Sequence, residues 1–222
     1  KKYLKPALVA LAVAVIGITT LVLTKAATEK ATCTGPCKSI AGASVASDKY
    51  WIMGQDGGVF SINAPFYGSV PQSTKLSNAV GIVSTPSQEG YYIYTTTGAV
   101  YAFGNASYKG GNPGANNVAG FALRPQNDGY WMFGSDGGVF SYGNAPFKNS
   151  LPGLNVHVNN IVGGAPTNSG EGYWMVGSDG GIFALGDAQF YGSMGGKAIN
   201  APIVAMKVTA SGAGYWLVGS DG

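Results

Sequence analysis

The chain has 222 residues, enough for one large domain or two small ones, and only 10% of them are charged. Glycine contributes 36 residues and tyrosine 13, a composition that argues against a helical bundle and suits short strands joined by tight turns. The net charge of +3 divides into +4 over residues 1–37 and −1 over the remainder, which therefore lacks the basic surface that nucleic-acid binding requires.

The first predicted element is one long hydrophobic α-helix over residues 1–27. Residues 7–23 are uncharged, Lys1, Lys2 and Lys5 precede them, and Lys25 follows them. An apolar stretch of about 20 residues forms a helix of about 30 Å, the thickness of one bilayer core. The slight excess of lysines before the run favours an exported C-terminus. Three interpretations stay open: a cleaved secretory signal, a retained membrane anchor, or a helix that packs with its copies in a filament.

This segment resembles the N-terminal helix of type IV pilin-like subunits in position, length and content of alanine, valine, isoleucine and leucine. Those subunits commonly begin with a hydrophobic residue and carry glutamate at the fifth position, where this chain has Lys1 and Lys5. The resemblance implies that copies of the helix pack together in a filament core. The apolar positions expected to make these contacts are Leu8, Leu11, Val15, Ile18 and Val22.

The only two cysteines, Cys33 and Cys37, lie in the predicted junction over residues 28–39. The Gly35-Pro36 pair between them favours a turn, which can bring the two Cα atoms within bridging distance. A disulfide fits an exported chain, because oxidising compartments preserve it. A zinc site needs four ligands, and His157 is the only histidine. We therefore predict a disulfide that stiffens the junction.

A repeat of about 40 residues occupies residues 40–222 and is the strongest pattern in the sequence. An aromatic residue recurs at intervals of 39 to 43 residues, and we expect these positions to form the core of each repeat. They are Trp51, Tyr92, Trp131, Trp174 and Trp216. The predicted fold is all-β, a propeller-like domain of four-stranded blades that follows the hydrophobic helix.

Each repeat predicts four short strands. The first is apolar with small residues, at residues 80–83, 161–164 and 203–206, and the second contains the recurring aromatic position. An Asp-Gly turn leads into the third strand, because glycine accepts positive φ at no steric cost. A glycine-containing turn then leads into a predicted fourth strand, which carries a further aromatic residue. These residues are Phe66, Tyr67, Tyr108, Phe147, Phe190 and Tyr191.

The second strand of the repeat is apolar on both faces. In one repeat Tyr173 and Met175 alternate with Trp174 and Val176, so neighbouring sheets must cover both sides. Propeller blades meet this need by stacking face to face around a channel. A linear β-solenoid of hairpins stays open as the alternative.

Residues 172–194 resemble the Gly-Tyr-Trp and Ser-Asp-Gly-Gly repeats of actinobacterial and related bacterial surface proteins. The resemblance extends over residues 40–222 and implies an exported surface protein. It implies no particular activity, because such repeats are attached to many different exported proteins. Since the sequence stops at Gly222 inside a hairpin, we expect the native chain to continue and complete the domain.

The sequence predicts no enzyme, no cofactor and no metal site. Asp56, Asp136, Asp179 and Asp221 recur once per repeat, which indicates turn residues that accept hydrogen bonds from nearby backbone N–H groups. A calcium site would require six to eight oxygen ligands. Exposed tryptophans could stack on sugars, but their strand positions favour a structural role. A binding surface is expected in the variable loops at residues 71–78, 110–117 and 150–160.

Two functional hypotheses follow. The first is a structural subunit of an extracellular pilus-like filament, with the helix in the filament core and the repeat domain, which could also be adhesive, on its outside. Its partners would be copies of itself, and the membrane before assembly. The alternative is a membrane-anchored binding module that recognises glycans or another cell. Both place the repeat domain outside the cell, and neither involves nucleic acid.

Overall fold

A computed structural model describes residues 39–46 and 48–222, and it confirms the all-β prediction. The described strands form five small antiparallel sheets, one for each repeat, which we number in chain order. Two single-turn 3-10 helices, Gln72–Thr74 and Pro152–Leu154, lie between sheets. The strands are β1 (Ser39–Ala46), β2 (Lys49–Gly54) and β3 (Val59–Ile62) in sheet 1; β4 (Ala79–Ser84), β5 (Gly90–Thr95) and β6 (Val100–Gly104) in sheet 2; β7 (Val118–Leu123), β8 (Gly129–Gly134) and β9 (Val139–Gly143) in sheet 3; β10 (Ile161–Pro166), β11 (Gly172–Gly177) and β12 (Ile182–Gly186) in sheet 4; and β13 (Ile203–Val208) and β14 (Tyr215–Gly219) in sheet 5.

The second strand of each repeat lies in the middle of sheets 1–4, as its apolar faces predict. In sheet 4, Trp174 is the register partner of Ala165 in β10 and of Ala184 in β12. The two alanines leave room on one face of the sheet for the indole ring, so the strand can carry tryptophan at its centre. All six residues of β5, β8 and β11 are buried. The middle strands are therefore the core of the domain.

Neighbouring sheets pack against each other in chain order. The first strand of each sheet contacts the first strand of the next, from β1 to β4, β7, β10 and β13. Hydrophobic clusters fill the spaces between sheets, and one of them joins Trp131 and Phe133 of sheet 3 to Tyr173 and Met175 of sheet 4. The stability of each sheet therefore depends on its neighbours, as in other repeat proteins.

A chain of backbone hydrogen bonds also links the sheets. In the β8–β9 turn, the Ser135 N–H donates to Asn117 O at 2.8 Å, and its carbonyl accepts from Ile161 N at 3.0 Å. In the next repeat Ser178 bonds in the same way to Asn160 O and from Ile203 N. The hairpin turns of sheets 2, 3 and 4 are thus bonded both to the start of their own sheet and to the start of the next.

The predicted fourth strand does not form in sheets 1–4. The aromatic residues assigned to it lie in irregular chain after the third strand. Pro65 and Pro146 cannot donate to a ladder, and Gly143 has a φ of 63° that turns the chain away from β9. Side chains instead bond the backbone groups that a fourth strand would have paired. The sheets are therefore three-stranded, and sheet 5 has two strands within the described chain.

Several predictions fall on residues outside the described ranges. They are the hydrophobic helix over residues 1–27, its positions Leu8, Leu11, Val15, Ile18 and Val22, and the Cys33–Cys37 disulfide. Within the described residues, no helix is long and apolar enough to cross a membrane.

Candidate functional site

The irregular chain after each third strand follows a short pattern of alanine, any residue, aromatic residue, any residue. We name these stretches the aromatic segments: residues 64–69, 106–111, 145–150 and 188–193. The alanine packs inward in each of them; Ala145, for example, is buried in the cluster between sheets 3 and 4. The aromatic residue two positions later lies at the surface in each repeat. Alternation along four residues thus gives each segment an inner anchor and an outer ring.

The middle strand of the same repeat holds each aromatic segment from beneath. Nε1 of Trp131 donates to Pro146 O at 2.9 Å, and Nε1 of Trp174 donates to Gln189 O at 2.7 Å. Trp51 makes the same bond to Pro65 O in sheet 1. The bonded carbonyl always belongs to the residue just before the exposed ring. These buried tryptophans satisfy the requirement of the indole N–H for an acceptor.

Tyr92 replaces tryptophan in sheet 2 and makes an equivalent contact with the aromatic segment. Its hydroxyl donates to Ser107 O at 3.1 Å, and the Ser107 N–H lies 2.9 Å from the same oxygen. Trp51, Tyr92, Trp131 and Trp174 are all buried. Trp216 differs, because its side chain is 68% exposed.

A tyrosine of the following repeat holds each aromatic segment from the other side. The Tyr173 hydroxyl accepts a hydrogen bond from Lys148 N at 3.1 Å and donates one to Asn149 O at 2.6 Å. The same pair of hydrogen bonds recurs at each junction between two of the five sheets. The N–H that donates always belongs to the residue just after the exposed ring. The other three tyrosines are Tyr91, Tyr130 and Tyr215.

Burial raises the pKa of three of these tyrosines. It raises the pKa of Tyr91 and of Tyr130 to about 12, and it raises the pKa of Tyr173 above its ordinary value of 10.0. Desolvation disfavours the phenolate and outweighs the backbone hydrogen bonds that would favour it. The hydroxyls therefore stay protonated at neutral pH and can donate to the carbonyls of the aromatic segments.

In the fourth aromatic segment Tyr191 is 46% exposed, but its ring pairs with those of Trp174 and Tyr215. Four further exposed rings, one in each aromatic segment, have no such partner in the described part of the chain. Their exposed fractions are 44%, 59%, 58% and 60% for Phe66, Tyr108, Phe147 and Phe190, which we call the repeat rings. Among the described residues, none of them pairs with another aromatic ring. About half of each side chain therefore stays exposed, although the backbone on both sides of each ring is fixed.

An ionic cluster lies beside one of the repeat rings. Lys148, which follows Phe147, forms an ion pair of 3.0 Å with Glu171, and Glu171 also pairs with Arg124 at 3.0 Å. The hydrogen bond and charge of Lys148, followed by those of Arg124, lower the pKa of Glu171 below its ordinary value. Arg124 directly follows β7 of sheet 3 and Glu171 directly precedes β11 of sheet 4, so the cluster joins two neighbouring repeats.

Three of the four recurring turn acids have the role that the sequence predicts. Oδ1 of Asp56, Asp136 and Asp179 accepts a hydrogen bond from the backbone N–H two residues later, at 2.9 to 3.0 Å. Within residues 39–46 and 48–222, no group of three or more histidine, cysteine, aspartate or glutamate side chains could hold a metal ion. The turn acids are therefore structural residues of the hairpins.

The variable loops contribute less exposed aromatic surface than the aromatic segments do. Leu151 at the start of the third loop is buried against Gly137, whereas Leu154 and His157 are exposed. No large exposed aromatic side chain lies in residues 71–78, 110–117 or 150–160. The repeat rings are thus the more distinctive candidate for binding. The proline before Phe66 and Phe147 was the signal that could have identified them, because it argues against a strand.

Comparisons with known proteins leave the function to be argued from these residues. No protein-family model matches the chain, and no curated protein matches it.

Proposed function

We propose that this chain is an exported, non-enzymatic structural subunit of a pilus-like filament. In this proposal residues 1–27 form the filament core, and the five sheets are consecutive blades of a propeller-like head outside it. The observation that carries the proposal is the uncharged run over residues 7–23, which is joined to a β-domain that begins at Ser39. A dispensable tether would usually have a longer flexible linker.

The head supports a structural function because its recurring polar residues have structural partners. The tryptophans, tyrosines and turn acids of each repeat bond to backbone groups of their own or neighbouring repeats. The cluster of Arg124, Lys148 and Glu171 is likewise engaged in ion pairs between sheets. These residues therefore serve a head that holds its shape.

The test is imaging of material shed from cells that produce the native chain. Uniform filaments that contain the subunit, with an intact mass that fits a processed chain and a closed Cys33–Cys37 bridge, would support the proposal. Val15→Asp should abolish filaments, because it places a charge inside the apolar core, whereas Val15→Leu should preserve them. Filaments of normal yield from Val15→Asp would contradict the assignment of residues 1–27 to the core.

The second candidate is a membrane-anchored surface module that binds glycans or another cell. The specific observation in its favour is the set of repeat rings, since exposed aromatic surface frequently marks a binding site. Fractionation separates the two candidates. The anchored module should remain with membranes or vesicles, whereas the filament subunit should sediment as filaments free of lipid.

A further inference from the structure

The exposure of the repeat rings has no explanation in the folding of the domain. Each ring is about half exposed, while the alanine of the same segment packs inward and the tryptophan beneath it is buried. A residue that only closed a loop could be polar, as Ser107 and Lys109 are on either side of Tyr108. Aromatic side chains nevertheless occupy the same exposed position in four repeats.

The backbone of each repeat ring is fixed on both sides before any ligand arrives. The residue before Phe147 accepts from Trp131 at 2.9 Å, and the residue after it donates to Tyr173 at 3.1 Å. The same pair of bonds surrounds Phe190, through Trp174 and Tyr215. A rigid backbone lowers the entropy lost when a ligand binds, so these rings are preorganised for contact.

The surroundings of the rings indicate the chemistry of the ligand. Each ring presents an apolar face that has no aromatic partner among the described residues, and Tyr108 adds a hydroxyl at its edge. Exposed or half-buried polar residues flank three of the rings, namely Ser107, Lys148 and Gln189. A sugar ring has the matching character, because its C–H face is apolar and hydroxyls surround it. A lipid surface or a stable protein interface would call for a continuous apolar patch.

The net charge of the repeat domain narrows the class of ligand further. Residues 38–222 carry a net charge of −1, and the cation beside Phe147, Lys148, is already paired with Glu171. Such a surface does not attract an anionic polymer. We propose that the repeat rings bind an uncharged polysaccharide, with one sugar unit stacked on each ring. This inference deepens the proposed function and rests on it, because it assumes that the head is displayed outside the cell.

Repetition of the site has a measurable consequence. When several weak sites engage one polymer, or one polymer network, the later contacts form at a high effective concentration. A polymer should therefore bind much more tightly than its monosaccharide. Removing two rings should cost more than removing one.

The experiment uses the full chain in detergent micelles and electrophoresis through gels that contain laminarin, mannan, dextran or hydroxyethyl cellulose. We expect at least one of these polymers to retard the protein. Phe147→Ala and Phe190→Ala should each weaken binding about two- to tenfold, the loss typical of one aromatic contact, and the double variant should weaken it further. The glucose or mannose monomer should compete only at far higher concentration.

Leu154→Ala is the matched control, because this side chain is also exposed and apolar but lies in a variable loop. It should leave retardation unchanged, and circular dichroism should show the same β-structure in all variants. No retardation by any of the four polymers would overturn the inference, as would equal losses from Leu154→Ala and Phe147→Ala. Because the assay uses micelles, it fails or succeeds independently of filament formation, which imaging reports.

Discussion

At the residue scale, the side chains that define the repeat act on the backbone of the aromatic segments. Trp131 and Tyr173 come from different sheets, yet they bond the backbone of one segment on either side of Phe147. A hydrogen bond to a buried hydroxyl contributes about 1 kcal/mol, and leaving its partners unpaired costs more. These buried groups should therefore be sensitive to the loss of a single oxygen atom.

The first prediction removes one tyrosine hydroxyl. Tyr173→Phe deprives Lys148 N and Asn149 O of their partner, so we expect the free energy of unfolding to fall by about 1–3 kcal/mol. Tyr142→Phe is the control, because the Tyr142 hydroxyl makes no hydrogen bond to a described residue, and it should change stability by less than about 0.5 kcal/mol. Urea denaturation measures both. Equal losses would show that the hydroxyl of Tyr173 is not what matters.

The second prediction concerns alkaline pH. The folded protein raises the pKa of Tyr91, Tyr94 and Tyr130 from 10.0 to about 12, mainly by burial. The unfolded chain therefore releases these protons first, so stability is intact below pH 10 and is lost as the pH rises toward 12. Each tyrosine contributes on the order of 2–3 kcal/mol to this loss.

Denaturant unfolding at increasing pH, together with tyrosinate absorbance, tests the alkaline prediction. Tyr94→Phe should flatten the decline, because it removes one of the three groups and its hydroxyl makes no hydrogen bond to a described residue. If tyrosinate absorbance rose fully near pH 10 while the protein stayed folded, these rings would not be buried as described.

At the element scale, each aromatic segment depends on a residue with positive φ two positions after the exposed ring. Gly68, Gly110 and Gly192 have φ angles between 115° and 130°, and Asn149 has a φ of 91°. This conformation directs the carbonyl toward the tyrosine of the next repeat, and glycine adopts it most easily. The surroundings of these glycines are not the same, which makes a controlled test possible.

The third prediction compares two glycine substitutions. A Cβ at position 68 would lie 2.7 Å from Cδ1 of Phe103, whereas a Cβ at position 192 would meet no atom within 4 Å. Gly192→Ala should cost about 1 kcal/mol through backbone strain alone. Gly68→Ala should cost about 1–3 kcal/mol more because the clash is added. Urea denaturation measures the free energy of unfolding of both variants. Similar losses of stability would contradict the close packing of Gly68 on Phe103.

The same scale explains what the sequence predicted well. The middle strands and hairpins were predictable because the residues that determine them are close in sequence. Apolar residues on both faces of the strand are followed by an Asp-Gly turn, in which the aspartate accepts a hydrogen bond from the N–H two residues later. The fourth strand was predicted incorrectly because its aromatic residues have strand-like composition. What replaces the strand is a pair of bonds to Trp131 and Tyr173, and contacts over such separations leave no periodic trace in the segment itself.

The candidate site was only partly predictable for a related reason. The sequence identified the recurring aromatic residue in each segment, but assigned it to a strand inside a blade. Whether a ring such as Phe190 points outward depends on which neighbours bond its backbone, and Tyr215 lies in the next repeat. Exposure is therefore a property of the packed array, and the single repeat does not determine it.

At the scale of the whole molecule, the described contacts connect each sheet mainly with the sheets before and after it. Hydrophobic clusters, ion pairs between Arg124 and Glu171, and the backbone bonds of the hairpin turns all follow this order. Such an array behaves as a sum of units and interfaces between neighbours. A local defect should therefore weaken nearby sheets more than distant ones.

The fourth prediction follows from this arrangement and uses two buried methionines. Met175→Ala leaves a cavity in sheet 4 and should lower local stability by about 2–5 kcal/mol. Hydrogen exchange should quicken in sheets 3, 4 and 5 and stay nearly unchanged in sheet 1. Met53→Ala in sheet 1 should give the reverse gradient. A uniform gain in exchange across all five sheets would show that the domain unfolds as one unit.

Each junction is formed by the aromatic segment of one repeat and the tyrosine of the next. This has a consequence for how the number of repeats in such a protein can change. A unit such as residues 129–170 carries the tyrosine that secures the segment before it and the segment that the next tyrosine will secure. A tandem duplication of one unit would therefore supply both the tyrosine and the aromatic segment that form the hydrogen bonds of the new junction. We therefore expect that a duplicated repeat could form these junction hydrogen bonds without a second, compensating mutation.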